Sequence, residues 1–181
     1  RTLIDNIVWL RSDLRVRDNP ALHSAMRQGS TACVFLLATQ TWSQHHWSQH
    51  KAAFLLRVLE SLTDQLAKLG VPLQILDAPN FDDATGHLLK FSREIGAKKL
   101  FFNREYPVDE KVRDERVHNT LEENGIECEP HDSFLVFPPN SILKDDGHPY
   151  SVFTPFKRKW LAKAEGEGLR SLPCPRPQQS R

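Results

Sequence analysis

Short apolar runs alternate along the chain with longer stretches in which apolar residues recur at every third or fourth position. The short runs have the length and the β-branched or aromatic content of buried strands, whereas the longer stretches have the period of a helix with one buried face. The sequence therefore predicts five strands, at Ile7 to Leu10, Thr31 to Leu37, Val71 to Leu76, Lys99 to Phe102 and, more weakly, Ile126 to Glu129.

Residues typical of helix ends delimit the helices between these strands. An Asn-Pro pair at Asn19 opens the first helix and Gly29 ends it, because Asn caps helix N-termini and Gly suits the residue after the last turn. Leucines at spacings of three and four residues predict a second helix from about Ser48 to Leu69. Acidic residues, which complement the helix dipole, open two further helices, from Asp82 to Gly96 and from Asp109 to Asn124.

Strands that are separated by helices pair in parallel through right-handed crossovers. The sequence therefore predicts an α/β fold: a doubly wound, five-stranded parallel sheet with helices on both faces, Rossmann-like, followed by a loop-rich C-terminal extension. We expect the α/β domain to span residues 1–133, and a loop and short helix at 134–165 to complete it. Residues 166–181, with three prolines in five positions, are expected to be extended and to begin a linker to a second domain.

Composition and charge exclude several classes of protein. The chain is 39% hydrophobic and 26% charged with a net charge of +1, which gives no electrostatic argument for binding nucleic acid or a membrane surface. No apolar segment is long enough to span a membrane. The three cysteines are far apart and form no CxxC pair, so neither a metal framework nor a disulfide framework is predicted and the expected compartment is the cytoplasm.

The loop after the first strand lacks the glycines of a phosphate-binding turn. In "WLRSDLRVRDNPAL" the positions of a GxGxxG or GxxxxGK[ST] motif carry Arg11, Asp13, Arg15, Arg17 and Asp18 instead. The alternating signs favour ion pairs within the loop over an anion site. We expect these charges to hold the turn from strand to helix and place no ligand there.

In an open parallel sheet, ligands bind beyond the carboxyl ends of the strands, which selects the loops 11–18, 38–47, 77–82, 103–110 and 131–133. The segment "WSQHHWSQH" follows the second strand and has three interpretations. Its histidines, His45, His46 and His50, could ligate a metal, although no cysteine or carboxylate lies at ligand spacing. Its rings could stack on a planar ligand, or the loop could simply pack on its own helix. We predict no metal site.

Asp109 and Glu110 open the helix after the fourth strand. Two interpretations are open for these carboxylates. Either they do no more than complement the helix dipole, or they also accept paired N–H groups of a heterocycle at the ligand edge of the sheet. Adjacent helical residues point about 100° apart, so the two carboxylates do not form a facing acid/base pair. No Ser-His-Asp, GxSxG or Cys-His arrangement is present, and no catalytic residue is predicted.

Three separated blocks resemble the amino-terminal domain of the DNA photolyase and cryptochrome family. They are "VWLRSDLRVRDNPAL", "LFFNREYPVDEKVRDERV" and "YSVFTPFKRKW", in the family's order, and the resemblance covers residues 5 to 165. It implies an antenna domain joined to a C-terminal helical domain that holds FAD and receives the pyrimidine dimer of damaged DNA. The parent protein would be a deoxyribodipyrimidine photolyase, whereas this chain alone is expected to repair nothing.

The bacterial, folate-using branch is the most similar one and implies methenyltetrahydrofolate as the antenna. The family's stacking histidine falls on His45, and its Asn-Glu pair falls on Asp109 and Glu110, with Asp109 replacing the commoner Asn. Other members use a deazaflavin or a flavin. We expect weak folate binding by this chain alone, and we expect Phe153 to Trp160 to pack against the FAD domain, which would leave an apolar patch that promotes self-association.

The alternatives are a signalling cryptochrome, a pure scaffold and a stand-alone nucleotide-binding module of the electron-transfer-flavoprotein or universal-stress type. The last would require a glycine-rich phosphate loop, which the chain lacks.

Overall fold

The computed structural model describes residues 4–44, 46–80 and 83–179. The strands are β1 (Asn6–Leu10), β2 (Thr31–Leu37), β3 (Leu73–Asp77), β4 (Lys99–Asn103) and β5 (Glu127–His131). The helices are α1 (Pro20–Gln28), α2 (Thr39–Gln44), α3 (Gln49–Lys68), α4 (Ala84–Ile95), α5 (Val108–Glu123) and α6 (Phe153–Glu167).

The five strands form one parallel sheet in the order β3-β2-β1-β4-β5, so the predicted fold class is confirmed. Alternate residues of β1 enter two cores, because successive side chains of a strand point to opposite faces. Ile7 and Trp9 pack with α4 and α5, whereas Val8 and Leu10 pack with α1 and α3. All four are at most 1% exposed, so the central strand is buried on both faces.

The predicted helix ends are reproduced where the signal is local. The Asn19 side chain accepts a hydrogen bond from the Leu22 amide, and Gly29 follows the last residue of α1. Ser48 caps α3 in the same way through the Lys51 amide at 3.2 Å. The helix before β4 was predicted to begin at Asp82, which lies outside the described residues. In the structure this helix, α4, begins at Ala84, directly after Asp83.

Two helices differ from the prediction. Helix α2 lies in a segment that was predicted as loop, because its polar sequence TQTWSQ has no apolar period. Helix α6 continues to Glu167, two residues beyond the expected boundary at 165, and none of its residues is buried. Within the described residues, no helix is long and apolar enough to cross a membrane.

The proline-rich segment near the C-terminus has no regular secondary structure, and it lies against the α/β domain. Its Leu172 and the loop residue Asp18 exchange hydrogen bonds of 2.9 and 3.0 Å. Further along, Gln178 bonds to both backbone groups of Thr31 and, by its own N–H, to the Leu69 carbonyl. The segment is therefore attached at both ends of the sheet, at the loop after β1 and at the start of β2.

We predict that Gly70→Ala destabilises the domain by about 1–3 kcal/mol, because Gly70 has φ +72° and an added Cβ would lie 2.8 Å from the Gln178 carbonyl oxygen. Gly125→Ala is the matched control, since Gly125 has φ +77° with open space around it. Urea unfolding should show the larger loss for Gly70→Ala. Equal losses would mean that the Gln178 attachment contributes nothing to stability.

Candidate functional site

The order of the strands reverses direction between β1 and β4, which makes a crevice at their carboxyl ends. A cavity of about 880 Å³ lies at this edge of the sheet. Four of the five loops selected from the sequence border it, and the loop 131–133 does not. Their contributions include Arg11, Ser12 and Leu14; Trp42, His46 and Trp47; Ala78 and Asn80; and Glu105, Asp109 and Glu110.

The inner wall of the cavity is built around the indole of Trp9, which is 1% exposed. The guanidinium carbons of Arg11 and Arg113 lie 4.2 and 4.9 Å from the centre of its ring, within the range of cation–π attraction. Among the described residues, neither Trp9 Nε1 nor Arg11 Nε has a hydrogen-bond acceptor. Both donors are buried in the wall, so the wall faces the cavity mainly with ring surface and paired guanidinium groups.

Buried ion pairs hold the two arginines in place. Arg11 contacts Asp114 at 2.7 Å, and Arg113 contacts Glu105 at 2.7 Å and Asp114 at 2.8 Å. Two cations thus face two anions, so the cluster has no net charge. Burial alone would raise the pKa of Glu105, but Arg11, Ser12 and Arg113 outweigh it and hold that pKa below its usual range.

The prediction that the charges of the loop after β1 pair with one another is therefore wrong for Arg11, whose partners lie outside the loop. The carboxylates that pair with Arg11 come from the loop after β4 and from α5, about a hundred residues away along the chain. Asp13 instead accepts the Arg11 amide at 2.8 Å and the side-chain amide of Asn103 at 2.6 Å. The expectation that these charges hold the turn from strand to helix is confirmed by these contacts.

Asn103, at the end of β4, joins this loop to helix α1. Its amide donates to Asp13 and, at 2.8 Å, to the Asn19 oxygen, while its own oxygen accepts the Ala21 amide at 3.2 Å. Asn19 in turn donates to the carbonyls of Asp13 and Arg15. These bonds join the loop after β1 to β4 and to the start of α1, which fixes the position of the inner wall.

The aromatic segment after β2 packs on itself. The rings of Trp42 and Trp47 are stacked, with 4.9 Å between centres and 4° between planes, and the Lys51 ammonium lies 3.7 Å from the centre of the Trp47 ring. Both tryptophans and His46 also border the cavity. The interpretation of local packing is therefore confirmed, while the side of the stack toward the cavity is still available to a ligand. His45 lies outside the described residues.

Asp109 and Glu110 lie in the first turn of α5, where the dipole favours a carboxylate, and both border the cavity. Asp109 is exposed and Glu110 is half-buried. The structure thus brings these carboxylates into the same cavity as the tryptophans of the loop after β2. Sequence reasoning missed Trp9, Arg11, Glu105 and Arg113, although the position of Arg11 and Glu105 directly after strand ends was a usable signal.

One group of possible metal ligands occurs within the part of the chain that the structure describes, formed by His118, Glu122 and Cys128. It does not border the cavity. Burial, together with the carboxylates of Glu122 and Glu127, raises the pKa of the Cys128 thiol to about 12, which keeps it protonated at neutral pH. The Glu122 carboxylate already accepts the Cys128 amide at 2.6 Å. This group is a poor ligand set as it stands, because metals bind the thiolate.

Comparisons with known proteins agree on one family. The sequence model described as DNA photolyase matches residues 6–178. The chain is 36% identical over 156 residues to the deoxyribodipyrimidine photo-lyase of Vibrio cholerae and 32% identical over 157 residues to Cryptochrome-1 of Arabidopsis thaliana, covering 86% and 87% of this chain. It spans 33% and 23% of the length of those relatives.

Solved structures support the same fold. A bacterial class III photolyase from Agrobacterium tumefaciens superimposes with a TM-score of 0.77 at 25% identity, and the match covers 100% of this chain and 36% of that protein.

Proposed function

Because the chain belongs to the DNA photolyase family, we propose that it is the light-harvesting antenna domain of a deoxyribodipyrimidine photolyase. The observation that carries the proposal is the cavity at the carboxyl edge of the sheet, which unites Trp42, Trp47 and the carboxylates Asp109 and Glu110. A light-harvesting cofactor is a planar heterocycle, and the cavity offers it aromatic faces and directional acceptors.

Methenyltetrahydrofolate is the proposed ligand. When bound, it would absorb near-ultraviolet light and pass the excitation energy to FAD. Glu110 would accept two N–H groups of the pterin edge, and His45 would pack on the rings. Asp109, when ionised, can only accept hydrogen bonds, whereas the commoner Asn also donates.

The whole protein that we propose has a C-terminal domain that holds FAD and binds damaged DNA, where the dimer is split. The present chain would carry no catalytic residue of that reaction. Helix α6 and Val152, the residue before it, offer a surface for such a domain, since Val152 is 60%, Phe153 71% and Leu161 42% exposed. Without that domain, the same surface is expected to promote self-association. All three cysteines are free, which fits the proposed location in the cytoplasm.

We predict that Glu110→Gln weakens binding of methenyltetrahydrofolate roughly 10- to 100-fold, since a hydrogen bond to a charged group is worth about 1.5–3 kcal/mol. The matched control is Glu115→Gln, which removes the same charge from an exposed position of α5 outside the cavity. Binding is followed through the near-ultraviolet band of the folate. Unchanged affinity in Glu110→Gln would remove Glu110 from the site, and a wild-type chain that binds no folate would overturn this choice of ligand.

A cryptochrome photoreceptor is the second candidate, which the identity to Cryptochrome-1 supports. The two functions differ in the FAD domain and not in the cavity. The deciding experiment is illumination of the whole protein with DNA that contains pyrimidine dimers. Loss of the dimers supports the photolyase, and dimers that persist while the bound FAD is photoreduced support the cryptochrome.

A further inference from the structure

A second, smaller cavity of about 320 Å³ adjoins the first. The two cavities share the side chains of Ser12, Leu14, Trp47, Lys51 and Leu55, so they are continuous across the loop after β1 and the first half of α3. The smaller cavity is completed by Arg15, Phe54 and Val58. A ligand that fills the larger cavity can therefore extend into the smaller one.

The two cavities differ in charge. Three carboxylates, those of Glu105, Asp109 and Glu110, border the larger cavity and are balanced there by three cations, Arg11, Lys51 and Arg113. The smaller one is bordered by no acidic side chain of the described residues, and its two charged groups are Arg15 and Lys51. The remainder of its wall is mainly apolar, from Leu14, Phe54, Leu55 and Val58. The smaller cavity is thus suited to a group that is apolar along its length and negatively charged at its end.

Neither of the two cations is neutralised by the part of the protein that the structure describes. Lys51 lies over the ring of Trp47 and pairs with no carboxylate there. Arg15 donates to the Ser133 hydroxyl at 2.7 Å and to the Asp18 carbonyl at 3.1 Å, both of which are uncharged acceptors. An anion placed between them would meet two positive charges without displacing an existing ion pair.

We propose that the smaller cavity is a tail subsite, which binds the anionic tail of the ligand whose planar head lies in the larger cavity. The inference rests on the proposed function and extends it. The aryl ring of a folate's aminobenzoyl-glutamate tail would pack on Leu14, Phe54 and Val58, and its carboxylates would contact Lys51 and Arg15. A flavin nucleotide also ends in an anion, but its polyol chain would place hydroxyl groups against this apolar wall.

The test compares three probes on the 181-residue chain: a tail-free pterin, methenyltetrahydrofolate with one glutamate, and the same folate with three glutamates. In the variant Lys51→Gln/Arg15→Gln we expect roughly tenfold weaker binding of the one-glutamate form, since each exposed charge pair is worth up to about 1 kcal/mol. The gain in affinity from additional glutamates and the salt dependence of binding should also disappear. Binding of the tail-free pterin should be unchanged.

The control variant is Lys68→Gln, which removes a charge from the distant end of α3, and the unfolding midpoint of each variant is measured alongside. If the double variant binds all three probes as the wild type does, the tail subsite is wrong while the proposed function stands. If the wild type binds neither pterin nor folate, the proposed function itself fails. A Lys51-dependent preference for flavin mononucleotide over riboflavin, without folate binding, would support an anionic-tail subsite and overturn folate as its source.

Discussion

Replacing Arg11 by methionine is expected to lower the free energy of unfolding by about 3–5 kcal/mol, the range found when one partner of a buried ion pair is removed. The Arg11 side chain is 7% exposed, and that of its partner Asp114 is 9% exposed. Without Arg11, the carboxylates of Glu105 and Asp114 would share the single cation Arg113. One negative charge would then be left without a partner in a site that is largely shielded from water, in addition to the lost contact with Trp9.

The measurement is urea unfolding followed by circular dichroism, with the slope checked for constancy. Lys90→Met is the control, because the ion pair of Lys90 with Glu94 is long, at 3.9 Å, and exposed. That change should alter stability by no more than about 0.5 kcal/mol. A loss below about 1 kcal/mol for Arg11→Met would show that the cluster behaves as a surface ion pair.

Replacing Asn103 by leucine, which is similar in size, is expected to cost about 2–4 kcal/mol. Asn103 is fully buried, and the substitution leaves the Ala21 amide without its acceptor and the Asp13 carboxylate without its 2.6 Å donor. Each buried group that loses its partner costs about 1–3 kcal/mol. The N-terminus of α1 should also loosen, so hydrogen exchange of the Ala21 amide should become faster.

The control for Asn103→Leu is Asn119→Leu, at an exposed position of α5, which should change stability by no more than about 0.5 kcal/mol. Slow exchange at Ala21 in a stable Asn103→Leu variant would contradict the role given to Asn103. It would mean that the Asn19 side chain holds the turn by itself.

Features that depend on neighbouring residues could be predicted from the sequence. The caps of α1 at Asn19 and Gly29 are examples, because a capping bond closes within three or four residues. The positions of Asp109 and Glu110 at the ligand edge also followed, because the carboxyl ends of parallel strands meet at one edge of the sheet. Helix α2 could not be predicted, since TQTWSQ has no apolar period and its two glutamines are outnumbered by Thr, Ser and Trp, which favour a helix less. The stacking of Trp42 on Trp47 comes only with the folded loop.

By itself, the sequence determined the α/β class, the order of the five strands and of every helix except α2, and the resemblance to a family, because these depend on periods and motifs of a few residues. Only the tertiary structure decided which charged side chains pair and which side chains line the cavity together. Arg11 is bonded to Asp114 across 103 positions of the chain, and Arg15 to Ser133 across 118. These contacts form because distant strand ends pack together at one edge of the sheet, and no local sequence pattern predicts them.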